Sequence, residues 1–298
     1  IMTNNKNMKF KKYIASSLLA GSLIVSPFIH GNANAGYKKG DYSKTLYGET
    51  VKLGEGGVKT FGNFKKGELT KVGVLISEDA LNGLPQNCGV DAPTAGAKWL
   101  ICQSKPGETT GKMNDTMVIT LDMPKKVAKQ INIKKLDLSW LPYGHAPKGV
   151  WDKPQFDIHF PFANPTGGKD SKKFYSPKTS QDQLPEGYIV LPGSGFDWDT
   201  EALQSHSHAA SPGDSPEFKG GEFKGNFLYL SYDGKAIGYE AYVSEEILKS
   251  KDYYIQNLKS PKVSYGSDKA PSKLVISYLP GEEAYEVSLE NYINVEKK

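Results

Sequence analysis

Apolar and polar residues alternate along much of this chain in short runs set between glycine and proline, which is the pattern of an antiparallel β protein. The runs fall at 72–76, 117–123, 133–140, 156–162, 188–191, 223–232, 236–243 and 274–279. The sharpest local prediction is a hairpin. Residues 227–232 and 235–243 flank Asp233-Gly234, the pair favoured by a two-residue type I′ turn because both central positions need positive φ. Helical signal is sparse. Ser244 can cap a short helix running through Lys251, with Glu245 and Glu246 at its positive end and Lys249 and Lys251 near its negative end. A second short helix is expected over 125–130. With no long amphipathic helix and no repeat of fixed period, the expected class is all-β: an antiparallel β-sandwich or barrel-like domain with few short helices.

The first residues read differently. Lys9, Lys11 and Lys12 precede an apolar stretch over 14–28, and Ala33-Asn34-Ala35 is an A-x-A cleavage pattern. Residues 1–35 are therefore expected to be a cleaved signal peptide, giving a mature chain from Gly36 that is secreted or extracytoplasmic. The apolar stretch falls short of the roughly 20 residues a bilayer span needs, so no stable membrane anchor is expected. The rest divides into a β domain over 36–258 and a C-terminal β extension over 259–298, packed on it or appended to it. Pro261, Pro271 and Pro280 interrupt that tail. Residues 163–185 are rich in Gly, Ser, Lys and Pro and read as a long surface loop, a candidate lid.

Charge narrows the partners. The formal net charge is +4, but Lys6, Lys9, Lys11 and Lys12 all lie in the expected signal, and without them 33 lysines face 33 acidic groups. No arginine occurs at all, although arginine suits bidentate phosphate and guanine contacts best, so nucleic acid is not an expected partner. Cys88 and Cys102 are the only cysteines. In an exported chain they are expected to form a disulfide, with two buried thiols as the alternative.

The candidate chemistry is histidine chemistry. Four of the five histidines, His145, His159, His206 and His208, lie in one part of the chain. Imidazole ligates divalent metals and exchanges protons near neutral pH. A strand over 156–160 would put Phe156, Ile158 and Phe160 on one face and Asp157 with His159 on the other. Trp140, Tyr143 and Trp151 are candidate walls of a cavity there. Asp157 and His159 share a face but stand too far apart along one strand for a direct hydrogen bond. His206 and His208 share a face if 205–209 is extended. Three imidazoles could hold zinc, copper or iron with a position open for water or substrate, yet the spacings match no compact metal signature. The competing reading makes His145 and His159 structural and leaves His206 and His208 on the surface. Asp197, Asp199 and Glu201 around Trp198 fit a solvated turn better than a calcium loop. No nucleophile elbow, phosphate loop or dinucleotide fingerprint is present, so no catalytic residue is assigned.

One resemblance adds to this. Residues 49–56 (Glu-Thr-Val-Lys-Leu-Gly-Glu-Gly), Val58-Lys59-Thr60-Phe61 and Val72-Gly73-Val74 precede the Gly-His-x-Pro-x-Gly-x-x-Asp-x-Pro-x-Phe-Asp-x-His-Phe run over 144–160. With Ser215-Pro216-Glu217-Phe218 and Tyr232-Asp233-Gly234-Lys235 before Tyr239-Glu240, these blocks resemble an exported bacterial family classed as a domain of unknown function, to which a ring-forming Thermus protein of unknown activity also belongs. The resemblance spans 46–248. It implies that His145, Asp157 and His159 are motif residues, that His208 is the histidine before the Ser-Pro-Glu block, and that Glu240 follows the hairpin. Gln155 stands where members carry a second histidine, and the sequence around His206 and His208 departs from the family, which leaves the choice between those two open. The expected site is thus a divalent transition metal on His145, His159 and His208, with Asp157 and Glu240 as supporting or acid/base groups. Two other functions compete with it: a non-catalytic homo-oligomeric envelope or stress protein, and a module binding wall polysaccharide or a smaller molecule through Trp and Tyr.

Overall fold

The computed structural model describes residues 43–89, 96–103, 115–163, 179, 181–191, 196–197, 205–264 and 266–297. The expected signal peptide, the greater part of the candidate lid and the turn around Trp198, Asp199 and Glu201 lie outside the described residues. Everything described belongs to one compact unit, Gly40–Lys298.

Two large antiparallel sheets form that unit. The first has seven strands, in the order Ser43–Tyr47, Gly56–Lys65, Glu68–Ser77, Ala284–Glu290, Lys273–Leu279 and Tyr254–Asn257, with Val51–Leu53 also paired to Gly56–Lys65. The second has eight: Lys98–Ile101, Thr116–Asp122, Lys135–Leu141, Gln155–Pro161, Lys235–Ser244, Gly225–Tyr232, His208–Pro212 and Tyr188–Val190. Alternate residues of both sheets meet in one apolar core, where Val74, Ile76, Val287 and Ile276 of the first join Ile119, Leu138, Phe156 and Ile158 of the second. This is the all-β, sandwich-like architecture that the period of two predicts.

The local predictions hold in detail. Asp233 and Gly234 both have positive φ, 52° and 70°, and close the hairpin in which Tyr232 pairs with Lys235. Ser244 accepts the amide of Ile247 at 3.2 Å and caps the helix Glu245–Ser250, while the other helix spans Lys125–Ile131. Cys88 and Cys102 form a disulfide with Cα atoms 5.9 Å apart, within the ordinary range for a bridge.

The tail is not peripheral. Ala284–Glu290 is hydrogen-bonded on both sides, to Glu68–Ser77 and to Lys273–Leu279, so residues after 259 supply interior strands of the first sheet. Its alternation is clean: Tyr285, Val287 and Leu289 enter the core, while Glu286 and Glu290 grip Lys71 at 2.7 and 2.9 Å. The prolines that suggested a broken appendage flank strands. Pro271 precedes Lys273–Leu279, and Pro280 follows it in the turn.

Candidate functional site

Phe156, Ile158 and Phe160 of Gln155–Pro161 enter the core, so Asp157 and His159 must face away from it. The registers of the neighbouring strands turn this into two polar rows across the second sheet. One row reads Thr120, Asp137, His159, Glu240 and Leu228; the next reads Val118, Ser139, Asp157, Tyr242 and Asn226. An outward sheet face would ordinarily be wet. Here it is covered, and Asp137, Ser139, His159 and Asn226 have no exposed surface.

Part of the cover is the loop between Lys135–Leu141 and Gln155–Pro161. It folds back on itself through His145 N–H to the Trp151 carbonyl at 3.0 Å and Trp151 N–H to the Pro147 carbonyl at 3.3 Å. Gly144 makes the fold possible. Its φ is +61°, and a side chain there would collide with the Trp151 carbonyl and the backbone of Lys153. The loop thereby lays His145 edge-on against Trp151 and Tyr242, with ring centroids 5.5 and 4.9 Å apart. Trp151, Leu228, Leu230 and Tyr242 form a second apolar cluster around the polar rows.

Each of these two imidazoles has its own carboxylate. His159 Nε2 lies 2.7 Å from Glu240 Oε1, a close imidazole–carboxylate pair. His145 donates from Nδ1 to the Ala146 carbonyl at 2.7 Å and sets Nε2 3.4 Å from Asp157 Oδ2. Gln155 Nε2 donates to Asp157 Oδ1, and Thr120 Oγ1 donates to Asp137 Oδ1, both at 2.6 Å.

Burial alone would push both imidazoles towards the neutral form. At His159 the Glu240 carboxylate, aided by Asp157 and Asp137, outweighs that penalty and raises the pKa. At His145 burial is outweighed by Asp157, the Ala146 carbonyl and Glu240, again raising it. Burial, with Glu240 and Asp157 nearby, holds the Tyr242 phenol neutral by pushing its pKa far up. Three oxygens on this face, Ser139 Oγ, Gln155 Oε1 and Glu240 Oε2, are shielded from solvent and make no hydrogen bond.

The polar system continues along the sheet. Glu217, in the turn Pro216–Lys219, accepts from Asn226 Nδ2 at 2.6 Å and from Trp151 Nε1 at 3.3 Å. Its pKa is raised because burial outweighs the hydrogen bonds from its backbone, Trp151 and Asn226.

The expected metal set does not assemble. Ser207 is a bend, so 205–209 is not one extended run. His206 pairs with Phe196, while His208 pairs with Ser231 and shares its side of the strand with Ala210, which packs into the core beside Tyr229. Alternation therefore assigns His208 to the face opposite His159. His206, expected on the surface or as a bystander, is buried with its ring 6.1 Å from that of His159. Among the described residues, no three of His, Cys, Asp or Glu are placed to hold a metal ion.

Two aromatic assignments also change. Trp140 lies on the core side, 4.9 Å from Phe156 with its N–H on the Pro85 carbonyl, and does not wall the histidine face. Trp151 does wall it but is 2% exposed, which removes it as a platform for polysaccharide. Asp137, Ser139, Gln155, Tyr242 and Glu217 were not singled out as site residues from sequence, because strand register joins them. No family model, curated protein or solved structure matches this chain, so the chemistry of the site rests on its own geometry.

Proposed function

We propose that this chain is an exported β-sandwich protein whose histidine face is an enclosed acid–base pocket. It keeps protons on two imidazoles and accepts a small hydrogen-bond-donating ligand against Ser139, Gln155 and Glu240. One observation carries the reading: two buried imidazole–carboxylate pairs share a covered face with three buried oxygens that make no hydrogen bond. A face built only for stability would be apolar, since replacing a buried ion pair by well-packed apolar residues is often neutral or stabilising. Each unsatisfied buried oxygen costs about 1–3 kcal/mol, which a bound donor would recover. Export is supported by the basic, apolar and A-x-A order of residues 9–35.

The pocket favours a donor over a preformed metal centre. Among the described residues no three of His, Cys, Asp or Glu are placed to hold a metal ion, whereas the buried oxygens of Gln155 and Glu240 can each accept from a donor. Native mass spectrometry of the protein recovered outside the cell tests both halves of the proposal. The expected result is a chain beginning at Gly36 that carries a small adduct, released on denaturation and lost in Glu240→Gln. An intact leader overturns export. A bare chain mass in the wild type overturns the pocket and leaves the motif as a polar structural core.

A further inference from the structure

A cavity of about 340 Å³ opens where one edge of each sheet meets the other, between Tyr188–Val190 and Tyr254–Asn257. Its size falls within the range of pockets that bury small ligands. Tyr188 and Tyr254 supply aromatic wall, and Asp214, Ser215, Gln256 and Lys259 supply polar atoms.

The polar atoms are fixed by a network that leaves one of them over. Asn226 Oδ1 accepts from the Phe227 amide at 2.8 Å, from Gln256 Nε2 at 3.3 Å and from Ser215 Oγ at 3.4 Å. Asn226 Nδ2 donates to Ser211 Oγ at 2.9 Å and to Glu217 at 2.6 Å. The Phe227 amide thus sets the orientation of Asn226, and Asn226 sets that of the Gln256 amide. Gln256 Oε1 is shielded from solvent and has no hydrogen-bond partner. Tyr254 has spent its O–H on the Gly225 carbonyl at 2.7 Å, so it offers ring and oxygen lone pairs only.

We infer that this cleft binds a small polyhydroxylated ligand of monosaccharide size. Its lining includes the acidic residues Asp214 and Glu186, and the Gln256 Oε1 acceptor has no partner, which suits a molecule rich in O–H donors. Aromatic wall beside fixed amide and carboxylate oxygens suits the mixed apolar and hydroxyl surface of a sugar ring. A cation has less claim. Lys259 already brings an ammonium to the cleft, where it donates to the Glu186 carbonyl at 3.2 Å.

Calorimetric titration of the full chain with glucose, N-acetylglucosamine and glucosamine at millimolar concentration tests this. Saturable binding of a neutral sugar is expected, weakened about tenfold in Gln256→Leu and in Asp214→Ala, the loss of one hydrogen bond each. Asp214 is exposed, so its variant remains informative if Gln256→Leu fails to fold. Absence of heat with both neutral sugars, binding of glucosamine alone, or affinity unchanged in both variants overturns the inference.

Discussion

The histidine face and the edge cleft are both polar, yet they are built in opposite ways. On the histidine face, charges sit in pairs inside a covered layer, and His159 has no exposed surface. In the cleft, Asp214 and Lys259 stand in solvent, and a neutral amide network behind them does the fixing. Charge costs little where water reaches it and several kcal/mol per ion where it does not. The difference teaches that the first region is a commitment of the fold, its charges held by one another, whereas the second can change its exposed residues, Asp214 and Lys259, without disturbing the sandwich.

Substitution should separate them most sharply. Glu240→Ala leaves the His159 imidazolium buried without its nearest carboxylate and should cost about 3–5 kcal/mol in denaturant unfolding. Asp214→Ala in the cleft should stay within about 0.5 kcal/mol. Equal costs would erase the distinction. Within the histidine region, His206→Ala removes a buried ring and should cost about 2 kcal/mol, against less than about 1 kcal/mol for half-buried His208→Ala. The reverse order would return His208 to the site.

Acidity sharpens the same contrast. His145, His159 and Glu217 all have pKa values raised by folding, so the native state holds protons that the unfolded chain releases. Their contribution is fully present below the unfolded values and is lost as pH rises through the folded ones. For the two histidines the loss begins above about 6.5. Melting temperature should therefore fall on the alkaline side, and His159→Gln should flatten that fall, whereas Asp214→Ala should leave it unchanged. A wild-type profile flat from neutral to alkaline pH would contradict the paired imidazoles.

Much of the scaffold could be read in the sequence because a period of two is a local property. The faces of Gln155–Pro161, the Asp233-Gly234 turn and the Ser244 cap each depend on a few adjacent residues. The partners of His159 do not. Asp137 and Glu240 reach it through register with two separate strands, and Glu240 entered the sequence reading only through resemblance. The choice between His206 and His208 stays open in the sequence because a single bend, at Ser207, decides whether the two share a face. The strand Ala284–Glu290 alternates cleanly, but the prolines around the tail outweighed that signal. The cleft is formed by edges distant in sequence and carries no motif.

Histidine-selective NMR titration of the folded chain bears most directly on the histidine face. Two imidazoles, assigned by His145→Gln and His159→Gln, should titrate above the ordinary histidine value of about 6.5. Titration of both at or below that value would mean that burial wins over Asp157 and Glu240, and the account of a proton-holding pocket would fail.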